Sequence, residues 1–320
     1  MRKLCAWIFA FITITICTVS VSAATLIPGG QVIGLQLEDN TVSVAGFHEN
    51  LGDAARSAGL QEGDRILSVD GKQIQSVEGI REALKCSDGQ VQIGILRSGK
   101  AKKLTVAPIA TADGPRLGIY LKQGTSGLGT VTYYDPDTGC FGALGHGVND
   151  PGGNLLKMDS GSVFDARVLS VKKGKVGAPG QLMGQLTRTE CMGILQKNTL
   201  RGVFGKLTSP IKDEPLPVAD ESEIHTGSAV IRSTINGETL QEYSVEILKI
   251  YPTVGDRTRN MLLKITDEAL LQQTGGIVQG MSGSPIIQDG KLVGAVTHVL
   301  VNDPTTGYGI FIENMLDAAA

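Results

Sequence analysis

The stretch Gly275-Gly276-Ile277-Val278-Gln279-Gly280-Met281-Ser282-Gly283-Ser284-Pro285-Ile286-Ile287 sets a glycine-framed serine, Ser282, between two apolar runs. Glycine frees the backbone for conformations that other residues avoid, and it lets backbone N–H groups approach the serine hydroxyl closely. A nucleophile that works beside an oxyanion hole needs this arrangement. The pattern therefore predicts that Ser282 is a nucleophile.

The residues after this serine continue as strand, turn and strand. Ile286-Ile287 leads through a Gln-Asp-Gly turn into the β-type run from Leu292 to Val296. With this continuation, Gly280-Met281-Ser282-Gly283-Ser284-Pro285 resembles the GDSGGP motif of chymotrypsin-like serine peptidases. That resemblance implies the N–H groups of Gly280 and Ser282 as the oxyanion hole.

The same resemblance places Thr297 and His298 on the strand that lines the substrate subsites. Ser284 is the rival nucleophile, although a serine directly before proline is more typical of a turn. The pattern favours Ser282 over Ser284.

A serine nucleophile needs a general base, and the chain has 4 histidines. His225 has acidic and turn neighbours, and His48 lies in a polar loop without the HExxH zinc motif, which occurs nowhere in the chain. His146 stands between two glycines at the end of an apolar strand, a setting that presents its side chain. We predict His146 as the base, with His298 as the alternative.

Composition favours a mainly β chain. The 320 residues include 42 glycines but only 4% aromatic residues, and the net charge is −3, with no basic patch typical of nucleic-acid binding. Many short apolar runs separated by turn residues follow residue 111. They predict a chymotrypsin-like pair of β-barrels over residues 111–320.

The N-terminus, residues 1–27, carries a basic head followed by a long uncharged run. This pattern predicts either a signal peptide, with Val21-Ser22-Ala23 as the cleavage site, or a retained membrane anchor. In both cases the rest of the chain is expected outside the cytoplasm. The later cysteines, Cys86, Cys140 and Cys191, lack disulfide or metal-site spacing and are predicted to be small buried residues.

Residues 28–110 resemble a PDZ domain of mixed α and β structure, through the run from Ala58 to Gly71. PDZ domains bind a peptide as an added strand and hold its carboxylate on backbone N–H groups. The resemblance implies Ile33-Gly34-Leu35 as that carboxylate loop. The ligand is expected to be a terminal peptide, an internal segment or the chain's own N-terminus, and a spacer domain without a ligand is the alternative.

From Leu26 to its end the chain resembles the SpoIVB (stage IV sporulation protein B) peptidase family. The resemblance rests on Ile27-Pro28-Gly29-Gly30, the PDZ unit, Gly142-Ala143-Leu144-Gly145-His146 and the stretch around Ser282. It implies a triad of Ser282, His146 and Asp267. The acid stays open between four aspartates: Asp150, Asp159, Asp165 and Asp267.

The resemblance implies a secreted or membrane-anchored serine endopeptidase in the space between the two forespore membranes. It would cleave itself and the regulator of an intramembrane metalloprotease, which activates sigma factor K. The alternatives are a catalytically inactive PDZ-bearing envelope adaptor and an envelope quality-control protease. Neither a metal nor another cofactor is expected.

Overall fold

The structure, a computed structural model, describes residues 24–87, 89–150, 153–252 and 258–320. Most of the predicted signal or anchor segment, residues 1–27, lies outside the described residues, as does its cleavage site. Within these ranges no helix is long and apolar enough to cross a bilayer.

The elements of the described chain follow in order. The first part contains β1 (Thr25–Pro28), β2 (Val32–Phe47), α1 (Asp53–Ser57), β3 (Arg65–Val69), β4 (Lys72–Gln73), α2 (Val77–Lys85), β5 (Val91–Arg97), β6 (Lys100–Val106), β7 (Ile109–Thr111) and β8 (Gly114–Arg116). The middle part contains β9 (Ile119–Tyr134), β10 (Cys140–Ala143), β11 (Ser160–Lys172), β12 (Gln181–Thr199), β13 (Gly202–Leu207) and β14 (Leu216–Pro217). The last part contains β15 (Gly227–Asn236), β16 (Thr239–Ile250), β17 (Met261–Ile265), α3 (Glu268–Thr274), β18 (Pro285–Gln288), β19 (Lys291–Leu300), β20 (Asp303–Phe311) and α4 (Ile312–Ala319).

Two closed rings of antiparallel strands dominate the fold. In the first barrel, β2 pairs with both β9 and β11, which closes the ring β9-β10-β13-β12-β11-β2. The second barrel is β15-β16-β17-β20-β19-β18. Strand β16 shows the sequence pattern of such a barrel strand. Tyr243, Val245 and Ile247 are buried and alternate with exposed polar residues, so one face of the strand is apolar. The predicted mainly β fold with barrels is confirmed.

The first barrel continues directly into the PDZ-like module through β2 and β9. The start of β2, Val32 to Leu37, pairs with the barrel part of β9, whereas Val42 to Phe47 pairs with the start of β9. A register shift between Leu37 and Val42 separates the two parts. The predicted boundary between the PDZ domain and the peptidase domain, after residue 110, falls inside β7. It therefore precedes β9, which is shared by the PDZ-like module and the first barrel.

The PDZ-like module has a core of its own, in which α2 packs Ile80 and Leu84 against the strands. Beside this core, buried Asp64 accepts two hydrogen bonds of 2.6 Å from the Arg97 guanidinium. Burial of the Asp64 carboxyl acts to raise its pKa. The bonds from Arg97 and from the Gln61 N–H outweigh that effect and lower the pKa. The ion pair therefore joins the turn that precedes β3, where Asp64 lies, to the end of β5, where Arg97 lies.

The predicted carboxylate loop, Ile33-Gly34-Leu35, lies in the wall of the first barrel. Its backbone is paired with β9 on one side and with β11 on the other. A strand paired on both sides has no free edge for a peptide ligand. This prediction is therefore wrong, because the alternating apolar residues at this position fill the barrel interior.

The predicted burial of the cysteines is also only partly right. Cys86, Cys140 and Cys191 are free thiols, and both Cys86 and Cys191 are exposed. Only Cys140 is partly buried.

Candidate active site

Ser282 lies in the loop that joins α3 to β18, and glycine conformations shape this loop. Gly280 has φ +100° and Gly283 has φ +98°, values in the region that L-residues with a side chain rarely adopt. A side chain at Gly283 would also collide with the backbone of Thr130 and Leu144. The glycines that frame Ser282 are therefore required by backbone geometry and by the close approach of β9.

The loop leaves two backbone N–H groups available. The N–H groups of Met281, Gly283 and Ser284 donate to backbone carbonyl groups at 3.1, 2.7 and 3.0 Å. Among the described residues, the N–H groups of Gly280 and Ser282 have no backbone acceptor. An oxyanion hole requires such donors, and the assignment of Gly280 and Ser282 to this role stays a prediction.

The two candidate nucleophiles differ in their surroundings. Ser282 lines the main cleft, and its Oγ donates to the carbonyl oxygen of Thr297 at 2.7 Å. Ser284 is fully buried, and its Oγ donates to Ser233 Oγ at 3.1 Å. A substrate carbonyl can approach the first hydroxyl but not the second. The geometry therefore favours Ser282.

His146 follows β10 through a tight turn in which Leu144 (φ +70°) and Gly145 (φ +67°) are both left-handed. The His146 Nδ1 lies 2.9 Å from the carbonyl oxygen of Gly147. Because a carbonyl can only accept, Nδ1 carries the proton and Nε2 keeps its lone pair. This is the tautomer that a general base requires.

The cleft that holds these groups has a volume of about 920 Å³ and lies between the barrels. It brings together the predicted site residues His146, Gly280, Ser282, Thr297 and His298. The His146 and His298 rings lie 5.0 Å apart between centroids, with a 40° angle between their planes. Thr297 and His298 thus line the cleft beside Ser282, and their roles with substrate remain predictions.

The structure places the candidate acids elsewhere. The Asp267 carboxylate caps α3, where Oδ1 accepts from the Leu270 N–H at 2.9 Å, and Oδ2 lies 3.5 Å from the Ser244 N–H.

The side chains of the other three candidate acids do not line the cleft either. Asp150 caps a turn by accepting from the Asn154 N–H, Asp159 is exposed, and Asp165 lies 4.0 Å from Arg188. In the part of the chain that the structure describes, no aspartate or glutamate lines the cleft. The role of Asp267 as orienting acid stays a prediction.

Thr130, which the sequence did not single out, joins the two catalytic segments. Its Oγ1 donates to the Gly280 carbonyl at 2.6 Å, and its N–H donates to the Ser282 carbonyl at 3.1 Å. Its own carbonyl accepts from the Leu144 N–H at 3.2 Å, two residues before His146. No local pattern marks Thr130 as special, because its partners are far away in the sequence.

A second cavity, of about 750 Å³, lies in the PDZ-like module between α2 and the start of β9. Ile80 and Leu84 of α2 line one side, and Leu117, Gly118 and Ile119 lie at the other. Within the described ranges, this part of β9 pairs with β2 along one edge and has no strand on the other. The groove and its free edge therefore occur here, and not at Ile33-Gly34-Leu35.

Comparison with known proteins identifies both parts of the chain. The family model of SpoIVB peptidase S55 matches residues 113–316, and a PDZ domain model matches residues 52–97. The predicted family resemblance and the PDZ unit are thereby confirmed.

Individual relatives match different shares of the chain. The zinc metalloprotease RasP of Geobacillus kaustophilus is 33% identical over 92 residues, which is 25% of this chain and 22% of RasP. A Rhizobium meliloti protein named as a zinc metalloprotease, R01501, is 25% identical over 238 residues, 69% of this chain and 56% of that protein. The chain thus spans 56% of the length of R01501 and 22% of the length of RasP. Within the described residues no group of three or more potential ligands is placed to hold a metal ion.

Among solved structures, the Rv3671c protease of M. tuberculosis in its active form is 16% identical, with a TM-score of 0.36. That match covers 60% of this chain and 72% of the solved one.

Replacement of Thr130 by valine removes the hydroxyl that binds the Gly280 carbonyl. We expect a loss of about 1 kcal/mol in the free energy of unfolding, because the partly buried Gly280 carbonyl loses its hydrogen bond. We also expect slower labelling of Ser282 by a fluorophosphonate. Urea unfolding and labelling rates measure both effects, and Thr130→Ser, which keeps the hydroxyl, is the control. Equal behaviour of the Val and Ser variants would contradict this role.

The decrease of kcat/KM at acidic pH tests whether His146 is the general base. Removal of water from around the ring lowers the pKa of His146 below its ordinary value of 6.5, and the hydrogen bond to the Gly147 carbonyl only partly opposes this. A base must be neutral, so activity is lost as the pH falls through this lowered pKa. We expect kcat/KM to fall with a midpoint below 6.5. The control is His225→Gln, on the surface, and a midpoint above 6.5 would contradict the assignment.

Proposed function

The chain belongs to the SpoIVB peptidase S55 family, and on that basis we propose that it is a serine endopeptidase that works in the cleft between its two barrels. One observation carries this proposal. The cleft presents the Ser282 hydroxyl, the His146 ring and the two available N–H groups of Gly280 and Ser282 together.

The proposed reaction is acyl transfer. The Ser282 hydroxyl turns away from the Thr297 carbonyl, and its proton moves to Nε2 of His146 as Oγ attacks the peptide carbonyl carbon. The N–H groups of Gly280 and Ser282 hold the resulting oxyanion. The C–N bond breaks as His146 returns the proton to the leaving amine. Water, deprotonated by His146, then attacks the acyl carbon of the ester on Ser282. The bond from that carbon to Oγ breaks as His146 returns the proton to Oγ, which releases the carboxylic acid product.

The PDZ groove supports a role in substrate capture. Residues 119–123 of β9 have a free edge facing α2, and the left-handed Gly118 (φ +69°) stands where β9 begins. A peptide added to this edge gains main-chain hydrogen bonds, as in other PDZ complexes. Because β9 continues from this groove to Thr130 in the cleft, a peptide seated in the groove is held at a fixed position relative to Ser282.

We propose that the substrates are the chain itself and a membrane-associated regulator of an intramembrane metalloprotease. Cleavage of this regulator would activate sigma factor K during endospore formation. Support comes from the family match and from the basic head and long apolar run of residues 1–27, which suit export and placement at a membrane. The protein would then work in the space between the two forespore membranes.

A catalytically inactive PDZ-bearing adaptor is the second candidate function, and an envelope quality-control protease is the third. The hydrogen bond from His146 Nδ1 to the Gly147 carbonyl leaves Nε2 as a proton acceptor in the cleft, which argues against an adaptor. Peptide binding alone does not require a general base. The PDZ unit precedes the peptidase unit here, whereas quality-control proteases usually carry it after the catalytic domain.

Serine substitutions test the proposed activity on two substrates, the chain itself and the purified extracytoplasmic part of the regulator. Ser282→Ala is expected to abolish cleavage and fluorophosphonate labelling, because no other hydroxyl replaces the attacking oxygen. Ser284→Ala is the matched control, and it should keep labelling because that hydroxyl is buried. A wild-type protein that does not label would support the adaptor, and loss in Ser284→Ala alone would move the nucleophile to Ser284.

A further inference from the structure

Among the residues that the structure describes, no carboxylate bonds to the His146 ring. Within the described residues, its one hydrogen bond joins Nδ1 to the Gly147 carbonyl. In Ser-His-Asp peptidases the aspartate accepts from Nδ1, and it thereby fixes both the tautomer and the ring orientation. A backbone carbonyl can do the same only if its peptide plane is held in place.

Asn198 holds that peptide plane. The Gly147 carbonyl and the Val148 N–H belong to one peptide unit, and the Asn198 Oδ1 accepts from the Val148 N–H at 2.9 Å. In a trans peptide the N–H and C=O groups point in opposite directions. Fixing the N–H of this unit toward Asn198 therefore aims its carbonyl toward the His146 ring.

The Asn198 amide group also secures the residues on either side. Its Nδ2 donates to the Val148 carbonyl at 2.8 Å and to the Leu156 carbonyl at 2.9 Å. The backbone of Asn198 is fixed in turn, because it pairs with Val203 in the wall of the first barrel. All three hydrogen bonds have ordinary lengths, and together they use the oxygen and both protons of the amide.

We propose that Asn198 is the positioning residue of the general base, His146. It acts through the Gly147–Val148 peptide unit, whose carbonyl accepts from Nδ1 as the carboxylate of a triad does. The inference rests on the proposed function, since it gives His146 the role of base. In this structure the Asp267 carboxylate caps α3, the helix that leads into the Ser282 loop.

The first test is kinetic, on the purified full chain with a peptide substrate. Asn198→Ala is expected to lower kcat by about tenfold to a hundredfold, as loss of an orienting partner commonly does, with KM within about twofold of wild type. Asn198→Asp keeps the oxygen that accepts from Val148 and should recover part of the loss. Asn236→Ala, at an exposed position of β15, is the matched control. A kcat of Asn198→Ala within twofold of wild type overturns the inference.

The second test reads the tautomer directly and needs no activity. In protein with 15N-labelled histidine, the His146 signals, assigned with His146→Gln, should report a protonated Nδ1 in wild type and a mixture of tautomers in Asn198→Ala. Asp267→Asn should leave the wild-type signal unchanged, since an amide oxygen still caps α3. An unchanged tautomer in folded Asn198→Ala, or a mixture in Asp267→Asn alone, overturns the inference.

The two tests also separate this inference from the proposed function. A wild-type chain that neither cleaves nor labels refutes the function, while the histidine spectra still decide the role of Asn198. Circular dichroism and the Tm of Asn198→Ala establish that the variant is folded. If it is not, Asn198→Asp takes its place in the spectra, with a wild-type tautomer expected and a mixture overturning the inference.

Discussion

The hydrogen bonds of Thr130 join the two halves of the candidate active site. This buried residue on β9 of the first barrel holds the carbonyl groups of Gly280 and Ser282 in the loop before β18, and it accepts from the backbone just before His146. Neither barrel contains the nucleophile and the base together. Their relative position depends on how closely β9 can approach the Ser282 loop, and that approach requires the absence of a side chain at Gly283.

Each catalytic segment is then shaped by its own local constraints. Around Ser282, left-handed glycines turn the N–H groups of Gly280 and Ser282 away from the backbone acceptors that their neighbours use. Around His146, a carbonyl group supplies the hydrogen bond at Nδ1. The same strand, β9, extends from this site into the PDZ groove. The groove of the PDZ-like module and the candidate active site thus share one strand.

The sequence identified the features that local pattern can encode, and it missed those that depend on tertiary contacts. The sequence could single out Ser282 and His146 as candidates because glycines flank each of them beside an apolar run. The barrels were predictable from alternating strands such as β16. Thr130 and Asn198 could not be found this way, since each acts through bonds to backbone groups distant in the chain, 150 residues away for Thr130 and Gly280.

Two predictions show the limits of transferring a motif. Ile33-Gly34-Leu35 has the composition of a carboxylate loop, yet its pairing on both edges makes it part of the barrel, and the groove lies at Leu117 to Ile119 instead. Asp267 follows the family pattern, yet its position before α3 favours a capping role that sequence spacing alone does not distinguish from a catalytic one.

The most direct measurement is a crystal structure of the protein after reaction with a peptidyl diphenyl phosphonate. We predict a covalent bond from phosphorus to Ser282 Oγ, with a phosphonyl oxygen accepting from the N–H groups of Gly280 and Ser282. Thr130 should still bind the Gly280 carbonyl, as it does in the unreacted protein. An adduct on another residue, or a phosphonyl oxygen that does not reach these two N–H groups, would contradict it.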